Sequence, residues 1–285
     1  MAKTKNKARK HKISKGKSKN KSKNKSKIRN KLNITDVPIS STVSLGTLAS
    51  MGDTSYDYQS YSNIYKFFNI MKTKSKNINN LLCFPEGKND WMNTFIKIIL
   101  DDDDINTSEL VVKNISLINP YENLNIINNL VKTCEIKGNR FFIFTIMLVV
   151  PGKSGTHANI VVIDLQEKTI ELFEPHGKRT ELSTLDSLEG AYDISDKLLK
   201  KMFSKVLPKY KYISPQTYLP TYGLQARIDA YTGLCVTWSI MYVHYRLLNP
   251  NLNRKTLVKY MSKLKKNFLL KYAKYVEETI KMNKI

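Results

Sequence analysis

Apolar positions recur three and four apart in "SNIYKFFNIMKT" (62–73), "DWMNTFIKIIL" (90–100) and "ENLNIINNLVKTC" (122–134). That period predicts three amphipathic helices, with Asp90 placed to cap the second. The pattern then changes. "RFFIFTIMLVV" (140–150) is almost continuously apolar, but its ten-residue run from Phe141 is too short to cross a bilayer and reads as a buried strand. "HANIVVIDL" (157–165) and "KTIELFEP" (168–175) follow as strands, with "LQEK" as the hairpin turn between them. The second of these alternates at Ile170, Leu172 and Glu174. Residues 189–205 return to helical spacing, and "YKYIS" (210–214) is a short strand. A helix is expected from Cys235 to about Leu248, where "NP" stops it. One long basic helical segment is expected over 254–281. Helices, a central mostly antiparallel sheet and then helices again make the class α+β.

Charge divides the chain. Of 47 Lys and Arg residues, 15 fall in residues 1–32, which hold no acid and repeat "KSKN". Like charges repel there and little apolar surface can be buried, so 1–32 is expected to be a disordered basic tail. It suits non-specific nucleic-acid contact through phosphate neutralisation, a nuclear-import signal, or plain solubility. Residues 33–60, rich in Ser, Thr, Asp and Tyr, read as a linker, and 61–285 as the folded domain. No apolar stretch follows the basic start, so neither a secretory signal nor a membrane partner is expected. The three cysteines, Cys83, Cys134 and Cys235, form no CxxC pair and no zinc-spaced cluster with histidine. An odd, sparse count fits free thiols in a reducing compartment. No metal or cofactor requirement is visible.

Four residues spread along the chain combine into one chemistry. His157 opens a strand, Glu174 ends the next strand of the hairpin, Gln225 lies in the loop "TYGLQARIDAYTG", and Cys235 starts the apolar helix. A hairpin sets adjacent strands side by side, so His157 and Glu174 can meet. A cysteine at a helix N-terminus faces the positive end of the helix dipole, which favours the thiolate. The thiolate needs an imidazole as base and acid, and the imidazole needs a carboxylate to orient it. A glutamine amide can donate to the oxyanion of a tetrahedral intermediate.

Other residues compete for these roles. His176, in the turn "EPHG", is expected to be exposed, as a substrate contact or as the base if the strand register is shifted. His244 lies about 13.5 Å along the helix from Cys235 and cannot be its direct partner. Asn159 shares a face with His157 by alternation and can line the site, whereas Asp164 falls on the opposite face and too far along. Trp238 reads as packing. Gly233 gives the turn before Cys235 conformational freedom.

The order His–acid–Gln–Cys resembles the cysteine peptidases that include the SUMO-specific proteases and the adenovirus maturation protease. "HANIVVIDLQEKTIELFEPHG" and "GLCVTWSIMYVHYRLLNP" look like the version found in large DNA viruses. The resemblance covers roughly 139–250. It implies a papain-like or ubiquitin-like-protease arrangement, with a Cys235–His157–Glu174 triad and Gln225 at the oxyanion. It also implies an endopeptidase that cuts after a small residue or a Gly-Gly-like sequence. The partner would be a protein substrate, either a viral precursor or a ubiquitin-like conjugate. With the basic tail it further implies a virion location, otherwise host cytoplasm or nucleus. The chain departs from the usual pattern at Ala158, Leu234 and Val236, and Gln225 stands further from Cys235 than is usual. Those departures leave a second reading: a non-catalytic virion or nucleoprotein component with a protease-like scaffold and a nucleic-acid-binding tail.

Overall fold

A computed structural model describes residues 61–85, 96–99, 109–112, 125–149, 156–178, 191–228 and 234–283. The readings made for 1–32 and 33–60, and those for Asp90 and Gly233, fall outside these residues. Helix α1 (Tyr61–Lys74) and the short α2 (Lys76–Leu81) lead into strand β1 (Leu82–Cys83). Strands β2 (Ile96–Ile99) and β3 (Glu109–Val112) precede α3 (Asn125–Ile136). Then come β4 (Phe141–Val149), β5 (Thr156–Asp164) and β6 (Thr169–Phe173). The rest is α4 (Ala191–Val206), β7 (Lys211–Ile213), α5 (Leu224–Ile228), α6 (Cys235–Leu248), α7 (Arg254–Met261) and α8 (Lys266–Met282).

The strands form one mixed sheet in the order β3-β2-β4-β5-β6-β7, with β1 also on β4. Its centre is the antiparallel meander β4–β5–β6, in which Phe144 opposes Val161 and Val162 opposes Glu171. Parallel pairings lie outside this meander, where β1 and β2 follow one another along the free edge of β4 and β7 joins β6. Both faces of the meander are covered, which is why "FFIFTIMLV" reads as a continuous apolar run and not as an alternating one. Phe141, Ile143, Ile160, Val162 and Phe173 pack under α6, with α1, α7 and α8 completing that layer. Phe142, Phe144, Val161, Ile163, Ile170 and Leu172 pack against α3 and α4 on the other face. Helix α6 is buried from Cys235 through Leu247, so it is the central helix of its layer, mostly apolar with Arg246 paired inside. Among the described residues, no helix is long and apolar enough to cross a membrane.

Three expectations are corrected. The segment read as a helix over 90–100 contributes the strand Ile96–Ile99 instead. Three of its four residues are isoleucine, which loses side-chain freedom in a helix, and the free edge of β4 supplies its hydrogen-bond partners. The single helix expected over 254–281 is two helices with a turn at 262–265. Val258 and Met261 lie on the apolar stripe of α7, and continuing that stripe would bury Lys265, so the chain breaks there and resumes with Leu269 and Tyr272. Finally, Cys83 and Cys134 are not free thiols: they form a disulfide joining β1 to α3 across 51 positions. Their spacing carries no local signature, so only the tertiary fold brings them together.

Beneath α6 lies a charged cluster that sequence reading did not foresee. Glu171, fully buried, accepts from Tyr242 Oη at 2.7 Å, Arg246 Nη2 at 3.0 Å and Arg254 Nη2 at 2.9 Å. Nearby, Asp164 holds Arg140 at 3.1 Å and accepts from the backbone N–H groups of Gln166 and Glu167, fixing the β5–β6 turn. Asp164 is therefore a structural acid, remote from His157 as its seven-residue separation predicts.

Candidate active site

The site lies at the end of the sheet where β5 begins and β6 has just ended. His157 is the second residue of β5 and pairs across to Leu148. Extending the β5–β6 register past its last pair, Ile160 with Phe173, sets Asn159 opposite Glu174 and His157 opposite His176. Glu174 is thus the diagonal neighbour of His157, within reach of a long side chain. Its Oε1 lies 2.6 Å from His157 Nε2 and also accepts the backbone N–H of His176 at 2.8 Å.

Glycine holds this turn in place. The Glu174 carbonyl accepts the Gly177 N–H at 3.0 Å, and Gly177 has φ +95°, which glycine adopts without strain. The Gly223 N–H donates to the His176 carbonyl at 2.8 Å, and the Gln225 N–H to the Pro175 carbonyl at 3.0 Å. A Cβ on Gly223 would sit 2.0 Å from the His176 carbonyl carbon, so only glycine lets the two backbones approach. In this way "EPHG" and "YGLQ" are stitched together and Gln225 is brought beside the acid. Gln225 lies in helix α5 and not in a loop as expected. Its side chain is buried, and Oε1 has no hydrogen-bond partner. Asn159, two residues beyond His157, is also buried with its Oδ1 unpartnered.

Cys235 is the first residue of α6 and lies outside the disulfide. No side chain caps that helix terminus, so the positive end of the dipole faces the thiol. The His157 ring hydrogen-bonds the Cys235 side chain. Because Nε2 is engaged by Glu174, Nδ1 is the ring nitrogen left for sulfur. Burial by itself would lower the His157 pKa, but the Glu174 charge, with the hydrogen bonds to Cys235 and Glu174, raises it to about 10. Both neighbours, the Glu174 carboxylate and the Cys235 sulfur, thus favour the charged form of the ring.

His176 is not exposed as expected but buried, its ring 4.6 Å from that of His157 and edge-on to it. Burial first, and then the neighbouring His157 charge, depress its pKa to about 2, so it stays neutral beside a charged partner. His244 faces away from the site, 3.0 Å from Tyr272 Oη, and Trp238 is a fully buried core residue. Sequence reading missed the contribution of Gly177 and Gly223; the one signal available was a glycine in each of two turns near the proposed acid and amide.

No protein-family model matches the chain. It is 31% identical over a 121-residue alignment to L371 of Acanthamoeba polyphaga mimivirus, a protein named for ankyrin repeats. That alignment covers 38% of this chain and only 16% of the relative's length. Two solved structures of ChlaDub1 from Chlamydia trachomatis are also similar, both at 11% identity. One aligns with a TM-score of 0.42 over 84% of this chain and 94% of that one. The other has a TM-score of 0.33 over 55% and 65%.

Proposed function

We propose that this chain is a cysteine peptidase in which Cys235 is the nucleophile, His157 the general acid and base, and Glu174 the residue that orients and charges His157. The observation that carries this reading is the bonding of one buried imidazole to both Glu174 and the first residue of α6. A packed core thiol has no need of an oriented imidazole beside it.

The Cys235 thiolate forms a C–S bond to the scissile carbonyl, and its electron pair moves to the carbonyl oxygen. The backbone N–H of Cys235, at the first position of α6, is the donor proposed for that oxyanion. The side-chain NH2 of Gln225 is the second donor in this reading. Collapse breaks the C–N bond, and the His157 imidazolium gives its proton to the leaving amine. Water then attacks the thioester as His157 takes one of its protons. The C–S bond breaks, and a carboxylic acid leaves. The substrate is a protein, either a ubiquitin-like conjugate or a viral precursor, and the virion is the proposed setting.

The test is turnover of a panel of fluorogenic peptides ending in Gly-Gly or other small residues. Wild type should cleave at least one of them. Cys235→Ala and His157→Ala should each lose at least about 10³-fold in kcat. Unchanged turnover in Cys235→Ala would end this reading.

A further inference from the structure

The junction of α7 and α8 carries a concentration of positive charge that the peptidase chemistry does not use. From Lys255 to Val276 the chain contains no Asp or Glu. Lys255 and Lys259 lie one turn apart on α7, Lys263 and Lys265 lie in the turn, and Lys266 opens α8. All five are exposed, and among the described residues none makes an ion pair. By contrast, Lys274 and Lys281 at the far end of α8 are neutralised by Glu278 and Glu277. The turn is tight: Ser262, Lys263 and Leu264 donate to the carbonyls of Val258, Tyr260 and Met261. It therefore presents these lysines from a fixed scaffold. Tyr260 is 37% exposed among them, with Lys263 Nζ 5.6 Å from its ring centre. The N-terminus of α8 has no side-chain cap, so its dipole adds to the positive field.

We propose that this junction binds the phosphate backbone of single-stranded nucleic acid, with Tyr260 as a stacking platform for an unpaired base. Interleaved lysines and an exposed aromatic ring are what such a strand requires, since phosphates need cations and every base has a face to stack. A lipid surface would require an apolar face to insert. Here the apolar face of α8, Leu269, Tyr272, Ala273 and Val276, is buried against the core. The site is built from residues 255–266, and the proposal stands whether or not Cys235 is a nucleophile.

The test uses the full chain and a labelled 20-nucleotide oligothymidylate, with affinity measured across a salt series. Each lysine that neutralises a phosphate on a single strand adds about 0.7 to the slope of log affinity against log salt. Changing Lys255, Lys259, Lys263, Lys265 and Lys266 to Ala should therefore lower the slope by about 3.5, with the thermal midpoint unchanged. Tyr260→Ala should weaken binding about tenfold or more without altering the slope. Changing Lys132, Lys197, Lys200, Lys201 and Lys209 to Ala, five exposed lysines on the opposite side of the sheet, is the control for net charge and should leave the slope unchanged. An unchanged slope in the five-lysine variant, or an equal loss in the control, would overturn the proposal. Loss of binding to phosphatidylserine vesicles with oligonucleotide binding intact would overturn it in favour of a lipid surface.

Discussion

Replacing Glu174 by Gln separates charge from shape at the proposed site. Glu174 Oε1 accepts from both His157 Nε2 and the His176 N–H, and a glutamine oxygen in the same place can still accept both. The fold and the ring orientation should persist, and only the negative charge is lost. At contact distance, with an effective dielectric constant near 20, that charge is worth about 4 kcal/mol to the imidazolium. This corresponds to about three pKa units. Since Glu174 is the foremost influence raising His157 to about 10, the variant's ring should titrate near or below neutrality, with burial drawing it lower still. The assay is the rate of iodoacetamide alkylation from pH 5 to 9. Because Cys83 and Cys134 are bonded to each other, the rate reports on Cys235 alone. Wild type should react well below pH 8, and Glu174→Gln should need a higher pH to reach the same rate. Stability should follow the same sign. A His pKa raised from 6.5 to about 10 stabilises the fold fully below pH 6.5, and that contribution is lost as pH climbs through 10. Wild type should thus lose denaturant resistance between pH 7 and 10 more steeply than the variant. Identical alkylation profiles in the two proteins would refute the coupling of Glu174, His157 and Cys235.

The remaining predictions concern the frame around the site. Thiol titration in denaturant should find one reactive cysteine before reduction and three after, and Cys134→Ser should cost about 4 kcal/mol by chain-entropy reasoning for a loop of this size. Three reactive thiols without reduction would remove the disulfide. Gly223→Ala should push the Glu174 turn away from α5, lowering turnover at least about tenfold and stability by about 1–3 kcal/mol, because its Cβ would overlap the His176 carbonyl carbon at 2.0 Å. Wild-type kinetics in that variant would contradict the close approach. Glu171→Ala leaves the buried Arg246 and the partly exposed Arg254 without their carboxylate and should cost about 3–5 kcal/mol in urea denaturation. A cost under 1 kcal/mol would mean the cluster is not buried as described.

What could be read in the sequence, and what could not, divides by the range of the interactions involved. The strands and α6 were legible because their signals are local: apolar runs, a hairpin turn, and a helix closed by Asn249-Pro250. The His157–Glu174 pairing was legible because a hairpin fixes register within a few residues. The Ile96–Ile99 strand was not, since its partners on β4 lie about 50 positions away and its isoleucines also fit a helical pattern. His176 was read as exposed because turns usually are; it is buried because Gly223 brings a second backbone onto that turn. Gln225 was chosen for its chemistry, and its position beside the acid depends on the same stitching. The disulfide and the Glu171 cluster arise from residues far apart in sequence, beyond any local pattern.

The central claim is that Cys235 and His157 act together as nucleophile and base. Its most direct measurement is intact-mass detection of covalent adducts formed with a panel of electrophiles mounted at the C-terminus of ubiquitin-like proteins and short peptides. Wild type is compared with Cys235→Ala and His157→Ala. One adduct per chain is expected in wild type and none in either variant. An adduct that persists in Cys235→Ala, or no adduct in wild type with any probe, would contradict it and leave Cys235 as a core thiol.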